Sequence, residues 1–226
     1  MKKTMMLFIV LMAVLGAFAQ YQPNTKWPYI YDDFTDGVIY SSDNKKSTYK
    51  FNVHLSGNVL HYIGNDGRIY KADDRNVVRV EIGQDAYLFV NHQLMQLVAN
   101  SGDNVLLKLV RADFERMLSD GGGAYGSSLS SSASNKLSSL DLGGLNVPEH
   151  GKMLQEKSDG ADIPVNVVYY FILNGKQFEA TKGNVADAVG EAKRDELKAF
   201  VKKNKIKWKD EHSLGLVLDF LSGQTK

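Results

Sequence analysis

The chain has 226 residues, 27 of them basic and 26 acidic, with no cysteine and 43% hydrophobic residues. Without cysteine the protein has neither a disulfide framework nor a cysteine that could be lipidated behind a leader. A charge close to zero gives no electrostatic drive toward nucleic acid or an anionic membrane surface. The length suits one large domain or two small ones.

The first residues predict a secretory signal peptide over residues 1–19. Two lysines open the chain, Met5–Leu15 is an uncharged apolar run, and Ala17-Phe18-Ala19 supplies a small-x-small cleavage pattern before Gln20. The alternative is a membrane anchor, but the apolar run is shorter than the roughly 20 residues that span a bilayer. We therefore expect an exported protein that is periplasmic, outer-membrane-associated or secreted, without a transmembrane helix once processed. The expected mature chain keeps 25 basic and 26 acidic residues, a formal charge of −1, because the leader removes two lysines and no acid.

An aromatic group follows in the sequence WPYIYDDF. Trp27, Tyr29 and Tyr31 alternate, so an extended chain places them on one face. One interpretation is a platform that stacks on sugar rings or another apolar ligand, and the other is an edge strand that lays aromatic rings over the core. We take these three residues as candidate ligand or partner contacts. The carboxylates in DDFTDG lack the spacing and the distal Glu of a calcium loop, which argues against a metal site.

Alternating residues predict two hairpin strands, Ser47–Leu55 and Asn58–Ile63, joined through Ser56-Gly57. The alternation buries Tyr49, Phe51, Val53 and Leu55. It also places His54 on the solvent-facing side of the strand, as an ordinary surface imidazole. His54 and His61 lie near one hairpin, but a metal usually needs three or four ligands, so we predict neither a metal site nor a cofactor.

Residues 76–113 have the strongest strand composition in the chain. Branched and aromatic residues dominate, and Val78, Val80 and Ile82 are predicted to share one face. Turn residues recur at Gly83-Gln84-Asp85, Asn91-His92 and residues 100–104. The pattern predicts four short strands, which pair antiparallel because their connections are short.

A Gly/Ser-rich stretch, residues 119–150, is predicted to be a loop or linker. It has no phosphate-binding G-K-[ST] or G-x-G-x-x-G pattern and no G-x-S-x-G nucleophile elbow. A loop that covers the sheet or meets a partner is the interpretation we favour. Tyr125 is the candidate contact residue within it.

The last block, residues 151–226, is predicted to hold a hairpin and helices. Val165–Leu173 reads as a buried strand, and Asn174-Gly175 predicts a type I′ turn back into residues 176–180. Asn184 is the predicted N-cap of a helix over residues 185–189. A second helix is predicted over residues 191–204, and a third follows a cap at Asp210 or Ser213.

Five parts of the sequence together resemble a family of uncharacterised exported proteins of Gram-negative bacteria. They are the signal peptide, WPYIYDDFTDG, the strand-rich region ending in LVRADF, YYFILNGK and ELKAFVKKNKIKWKDEHSL. The resemblance implies an envelope or secreted location and no particular activity.

These patterns predict an α+β fold: an antiparallel sheet, curled or partly closed, followed by a β-hairpin and C-terminal helices. The predicted divisions are 1–19, 20–118, 119–150 and 151–226, and whether the second and fourth share one core stays open. We rank three functions. The first is a non-enzymatic module that binds an envelope protein or a glycan. The second is a hydrolase that joins His150, or His54 and His61, to a serine or carboxylate. The third is a small-barrel carrier of an apolar ligand. Oligomeric state is left open.

Overall fold

The computed structural model describes residues 29–113, 141–142, 145–146 and 165–223. The predicted signal peptide, Trp27, Tyr125, His150 and most of the Gly/Ser-rich stretch lie outside these residues.

A ten-stranded antiparallel sheet forms the body of the described chain. The first eight strands are β1 (Thr35–Ser41), β2 (Lys46–His54), β3 (Val59–Ile63), β4 (Ile69–Lys71), β5 (Val77–Ile82), β6 (Asp85–Val90), β7 (Gln93–Ser101) and β8 (Asn104–Ala112). The others are β9 (Asp141–Leu142) and β10 (Leu145–Asn146), which pair with each other, and β11 (Val165–Leu173) and β12 (Lys176–Glu179). The order in the ten-stranded sheet is β12-β11-β8-β7-β6-β5-β1-β2-β3-β4, so the sheet has two edges and is not closed. Since β11 pairs with β8, the described parts of the second and fourth predicted divisions share one sheet.

Three helices follow the last strand: α1 (Lys182–Val189), α2 (Arg194–Asn204) and α3 (Glu211–Leu221). The predicted α+β fold with a hairpin and C-terminal helices is therefore confirmed. The cap predicted at Asn184 is wrong, because Thr181 caps α1 by accepting a hydrogen bond from the backbone N–H of Asn184. Residues 191–193 form a 3₁₀ turn rather than the start of α2. Asp210 caps α3, accepting from the backbone N–H of Ser213 at 2.8 Å.

The sheet curls strongly between β2 and β8. Four strands separate these two in the sheet order, yet the turn after β2 is hydrogen-bonded to the end of β8. The backbone N–H of Ala112 donates to Leu55 O at 3.0 Å, and Asn58 Nδ2 donates to Val110 O at 3.1 Å. These bonds hold the curled part around a core of buried side chains on its inner face: Ile39, Phe51, Val53, Leu60, Ala72, Val80, Ile82, Tyr87 and Leu94.

A second core lies on the same face, under the helices. It contains Leu106 and Phe171 from the sheet, Val185 and Leu197 from α1 and α2, and Leu214 from α3. The ladder between β7 and β8 shifts register between Leu97 and Ala99, and Val98, the extra residue, packs against the helical core with Ala99. Such a bulge increases the local twist of the sheet, so the part of the inner face that carries the first core and the part that carries the second point in different directions. The opposite face carries a smaller apolar cluster of Met95, Leu107 and Leu109.

Two predicted faces differ from the structure because of local irregularities in the ladder. Val78 is 55% exposed, since β1 and β5 shift register there and Val77 packs against the core instead. In β2, Asn52 and His54 are buried as well as Phe51 and Val53. The cause is residues 29–34, which lead into β1 and lie against β2. Tyr29 bridges His54, and the backbone N–H of Ile30 donates to Val53 O.

Candidate functional site

Tyr29, one of the predicted contact residues, lies inside the molecule. The ring is 6% exposed and packs edge-on against Phe34, with the centroids 5.0 Å apart. Its hydroxyl is 2.9 Å from His61 Nδ1. Tyr29 therefore does not display an exposed ring face for stacking.

Tyr31 is half-buried, and its hydroxyl belongs to a polar network that crosses the curled part. It donates to Asp85 Oδ2 at 2.7 Å, and its oxygen lies 2.6 Å from the hydroxyl of Tyr87. Because the Tyr31 proton is used on Asp85, Tyr87 is the donor of the second bond. Gln96 Nε2 donates to the other carboxylate oxygen of Asp85 at 2.9 Å. The network orients these four side chains near the paired strands β6 and β7.

Burial dominates the acid–base behaviour of this network. It raises the pKa of the Tyr87 hydroxyl to about 12, and the charge of Asp85 adds to the effect. Burial, followed by Tyr87 and Asp85, also raises the pKa of Tyr31 well above its ordinary value. Both phenols stay protonated at neutral pH, so the network donates hydrogen bonds rather than a reactive phenolate.

The two hairpin histidines meet in the interior, which corrects the prediction that His54 is a surface imidazole. His54 is fully buried and His61 is 2% exposed, with their ring centroids 5.5 Å apart. Tyr29 packs edge-on against His54 at 5.1 Å and touches His61 through its hydroxyl. Alternation within β2 could not reveal this, because the covering segment comes from another part of the chain. Among the described residues, no three His, Asp or Glu side chains are grouped to hold a metal ion.

A cleft opens where the curled part meets the helical part, and we call it the seam cleft. Its volume is about 260 Å³, close to the lower end of the roughly 300–1,000 Å³ typical of ligand pockets. Val165 and Val167 of β11 are 43% and 37% exposed, although large apolar side chains in a sheet normally find cover. The remaining apolar wall comes from three different parts of the chain: Ile30, Leu94 and Val110.

Four polar side chains converge on this apolar cleft: Asn58, Tyr87, Gln96 and Lys108. The ammonium group of Lys108 is held by Glu211 of α3 at 2.8 Å, and Glu211 also accepts from the Tyr169 hydroxyl at 3.2 Å. This pair closes the cleft on the side of the helices. Apolar walls with a few placed polar groups are the usual composition of a small-molecule site.

Asn58 has the least satisfied polar atom of the cleft. The residue is 4% exposed, and its Nδ2 is fixed by the bond to Val110 O. That bond turns Oδ1 away from Val110, and in the part of the chain described by the structure this buried oxygen has no hydrogen-bond partner. A buried acceptor without a donor costs about 1–3 kcal/mol. Asn58, which carries this oxygen, is one of the residues that line the seam cleft.

Sequence reasoning did not find the seam cleft. Its residues come from six separate segments and each looks ordinary in its own strand or turn. Asn58 reads as a turn residue, and its φ of 54° agrees with that role. The predicted contacts at Trp27 and Tyr125 lie outside the described residues and stay predictions.

Comparison with protein-family models, with curated proteins and with solved structures finds no match for this chain. Among the helices in the described ranges, none combines the length and apolarity needed to cross a membrane.

Proposed function

We propose that the protein is an exported, non-enzymatic binding module whose ligand enters the seam cleft. The ligand is a small molecule with an apolar body and one hydroxyl or N–H donor. The observation that carries this proposal is an apolar cleft lined by Asn58, whose buried Oδ1 has no hydrogen-bond partner among the described residues.

Each part of the cleft has a role in this proposal. The apolar body contacts Val110, Val165 and Val167, and burial of this exposed surface provides the main driving force. The donor of the ligand bonds to Asn58 Oδ1 and fixes the orientation. Tyr87 is hydrogen-bonded to Tyr31, which in turn donates to Asp85, so the position of Tyr87 is set before the ligand arrives. Pre-positioned groups reduce the ordering cost of binding.

Indole and 1-methylindole test the proposal, because they share an apolar bicyclic body and only indole carries an N–H donor. We expect indole to shift the amide signals of β8 and β11 in a nuclear magnetic resonance titration, and to bind about tenfold more tightly than 1-methylindole, a difference of ~1.4 kcal/mol. Equal binding of the two probes, or shifts confined to other elements, would contradict the role of Asn58.

Two exposed valines supply matched variants. Val167→Phe fills the cleft and should abolish the shifts caused by indole. Val78→Phe makes the same change on a solvent-facing part of β5 and should leave them unchanged. If both variants bind indole equally, the probe does not occupy the seam cleft.

The export part of the proposal rests on the leader pattern and needs a separate measurement. Expression in a Gram-negative host should give a mature chain that begins at Gln20, identified by N-terminal mass spectrometry of the periplasmic or secreted fraction. A chain that keeps Met1 contradicts export.

A further inference from the structure

A groove between α1 and α2 differs in chemistry from the seam cleft. It has a volume of about 330 Å³. Its floor is apolar and is formed by Ala186 of α1 together with Leu197 and Val201 of α2. Its rim is formed by basic side chains: Lys182, Arg194, Lys198 and Lys202. None of the described acidic residues lines the groove, although the chain as a whole has almost as many acidic as basic residues.

Two of the four cations are neutralised by exposed carboxylates, and two are not. Lys198 pairs with Asp195 at 2.8 Å, and Arg194 Nη1 pairs with Glu191 at 2.7 Å. Lys182 and Lys202 have no ion-pair partner within the described ranges of the chain, and they lie at the same groove. The groove therefore keeps an excess of positive charge next to apolar surface.

Arg194 adds a second, independent feature. Its Nε atom is buried and makes no hydrogen bond to any described residue, while its two terminal nitrogens point to Glu191 and Asp187. An N–H buried without an acceptor is uncommon and costs free energy. Arg194 therefore adds a partly unsatisfied cation to the rim of the groove, eight residues before Lys202 on α2.

The size of the apolar floor decides which kind of occupant fits. Leu197 and Val201 are four residues apart, so the floor extends for one helical turn, about 6 Å along α2. A docked amphipathic helix uses anchors spread over at least two turns, about 10 Å. The floor is too short for several anchors of a helix and can cover only part of one alkyl chain, or a ring.

We propose that the α1–α2 groove binds a small amphiphilic anion, a single apolar chain that ends in a carboxylate. The chain covers Ala186, Leu197 and Val201, and the carboxylate lies between Lys182 and Lys202. The alternative role of the lysines is to shield the floor with their own methylene stems while the ammonium groups stay in water. The two roles differ in their response to the charge of an added ligand.

The test uses decanoate and decyltrimethylammonium, which share a ten-carbon chain and carry opposite charges. Both are added below their micelle-forming concentrations to the purified protein, and binding is followed by calorimetry and by amide shifts. We expect decanoate to bind at least about tenfold more tightly, with shifts at α1 and α2, and to weaken as salt rises, since ion pairs at a surface are screened. Equal affinity for the two amphiphiles would overturn the proposal.

Matched charge variants localise the effect. Lys182→Gln combined with Lys202→Gln should weaken decanoate binding about tenfold. Lys203→Gln combined with Lys207→Gln removes the same charge from exposed positions outside the groove and should leave the affinity unchanged. Equal loss in both double variants would mean a nonspecific charge effect and would refute the groove.

Two further measurements distinguish this proposal from binding at the seam cleft and from binding to a membrane surface. Val167→Phe, which fills the seam cleft, should leave decanoate binding intact, so the two sites can fail independently. Vesicles that contain phosphatidylglycerol test a membrane surface as the alternative occupant. Binding to these vesicles without binding to decanoate would assign the basic rim to a membrane and overturn the small-ligand proposal.

Discussion

The Tyr31–Tyr87–Asp85 network should make the folded state sensitive to alkaline pH. Folding raises the pKa of Tyr87 from 10.0 to about 12, because the phenol is buried beside Asp85. The folded state therefore holds this proton more tightly than the unfolded state. The stabilisation is complete below pH 10 and is lost as pH rises through the folded pKa of about 12.

The size of the effect follows from the shift. One pKa unit corresponds to about 1.4 kcal/mol, so the raised pKa of Tyr87 stabilises the folded state by roughly 3 kcal/mol well below pH 10, and about 2 kcal/mol of this is lost between pH 10 and 12. At pH 11 about half of the total is lost, and the slope there is about 1 kcal/mol per pH unit. The pKa of Tyr31 is raised in the same direction, so its contribution steepens the slope.

Urea unfolding followed by circular dichroism, at steps between pH 8 and pH 11.5, measures this slope. Tyr31→Phe combined with Tyr87→Phe should lower stability at pH 8, because Asp85 loses a donor, and should flatten the decline above pH 10. Tyr49→Phe is the matched control, since its hydroxyl makes no hydrogen bond to a residue in the described ranges. A decline as steep in the double variant as in the parent chain would refute the reasoning.

Three further predictions concern the stability of the fold. Asn52→Ala should lower the free energy of unfolding by about 3 kcal/mol or more, because the amide side chain makes four hydrogen bonds to backbone groups and each buried group left unpaired costs about 1–3 kcal/mol. Chemical denaturation checks this, and a loss below 1 kcal/mol would contradict it. Gly37→Ala should lower the free energy of unfolding by about 1–3 kcal/mol, since a Cβ there overlaps Glu81 O and comes within 2.8 Å of the Phe51 ring. Gly215→Ala in α3 meets nothing within 4 Å and should stabilise by about 1 kcal/mol; thermal unfolding of both glycine variants should move in opposite directions.

The features that sequence predicted well depend on neighbouring residues alone. The four strands of residues 76–113 are confirmed, because turn residues separate short branched runs. Asn174-Gly175 forms the predicted tight turn, with φ of 50° and 79°, since this pair adopts positive φ at low cost. The cap at Asp210 was one of two predicted alternatives, and local geometry selects it.

The features that sequence missed depend on distant segments. Asn52 and His54 occupy positions that alternate toward solvent, and both are buried because residues 29–34, which lead into β1, lie against β2. The four hydrogen bonds of Asn52 are made with backbone groups of Tyr31, Asp33 and Val53. The alternation of residues within β2 therefore could not predict that Asn52 and His54 are buried. The same limit applies to the seam cleft, whose wall assembles only when β11 joins β8.

The position of the seam cleft has a physical origin in β7. The extra residue Val98 turns the inner face, so the curled core and the helical core diverge on either side of it. Val110 and Val167, which are paired in register across β8 and β11, lie between the two cores. Among the described residues, Val165 and Val167 keep a large exposed fraction, and covering this apolar surface would add about 25 cal/mol of stability per Å². A ligand that covers the valines recovers that free energy, and Val167→Phe should recover part of it as stability while it removes the site.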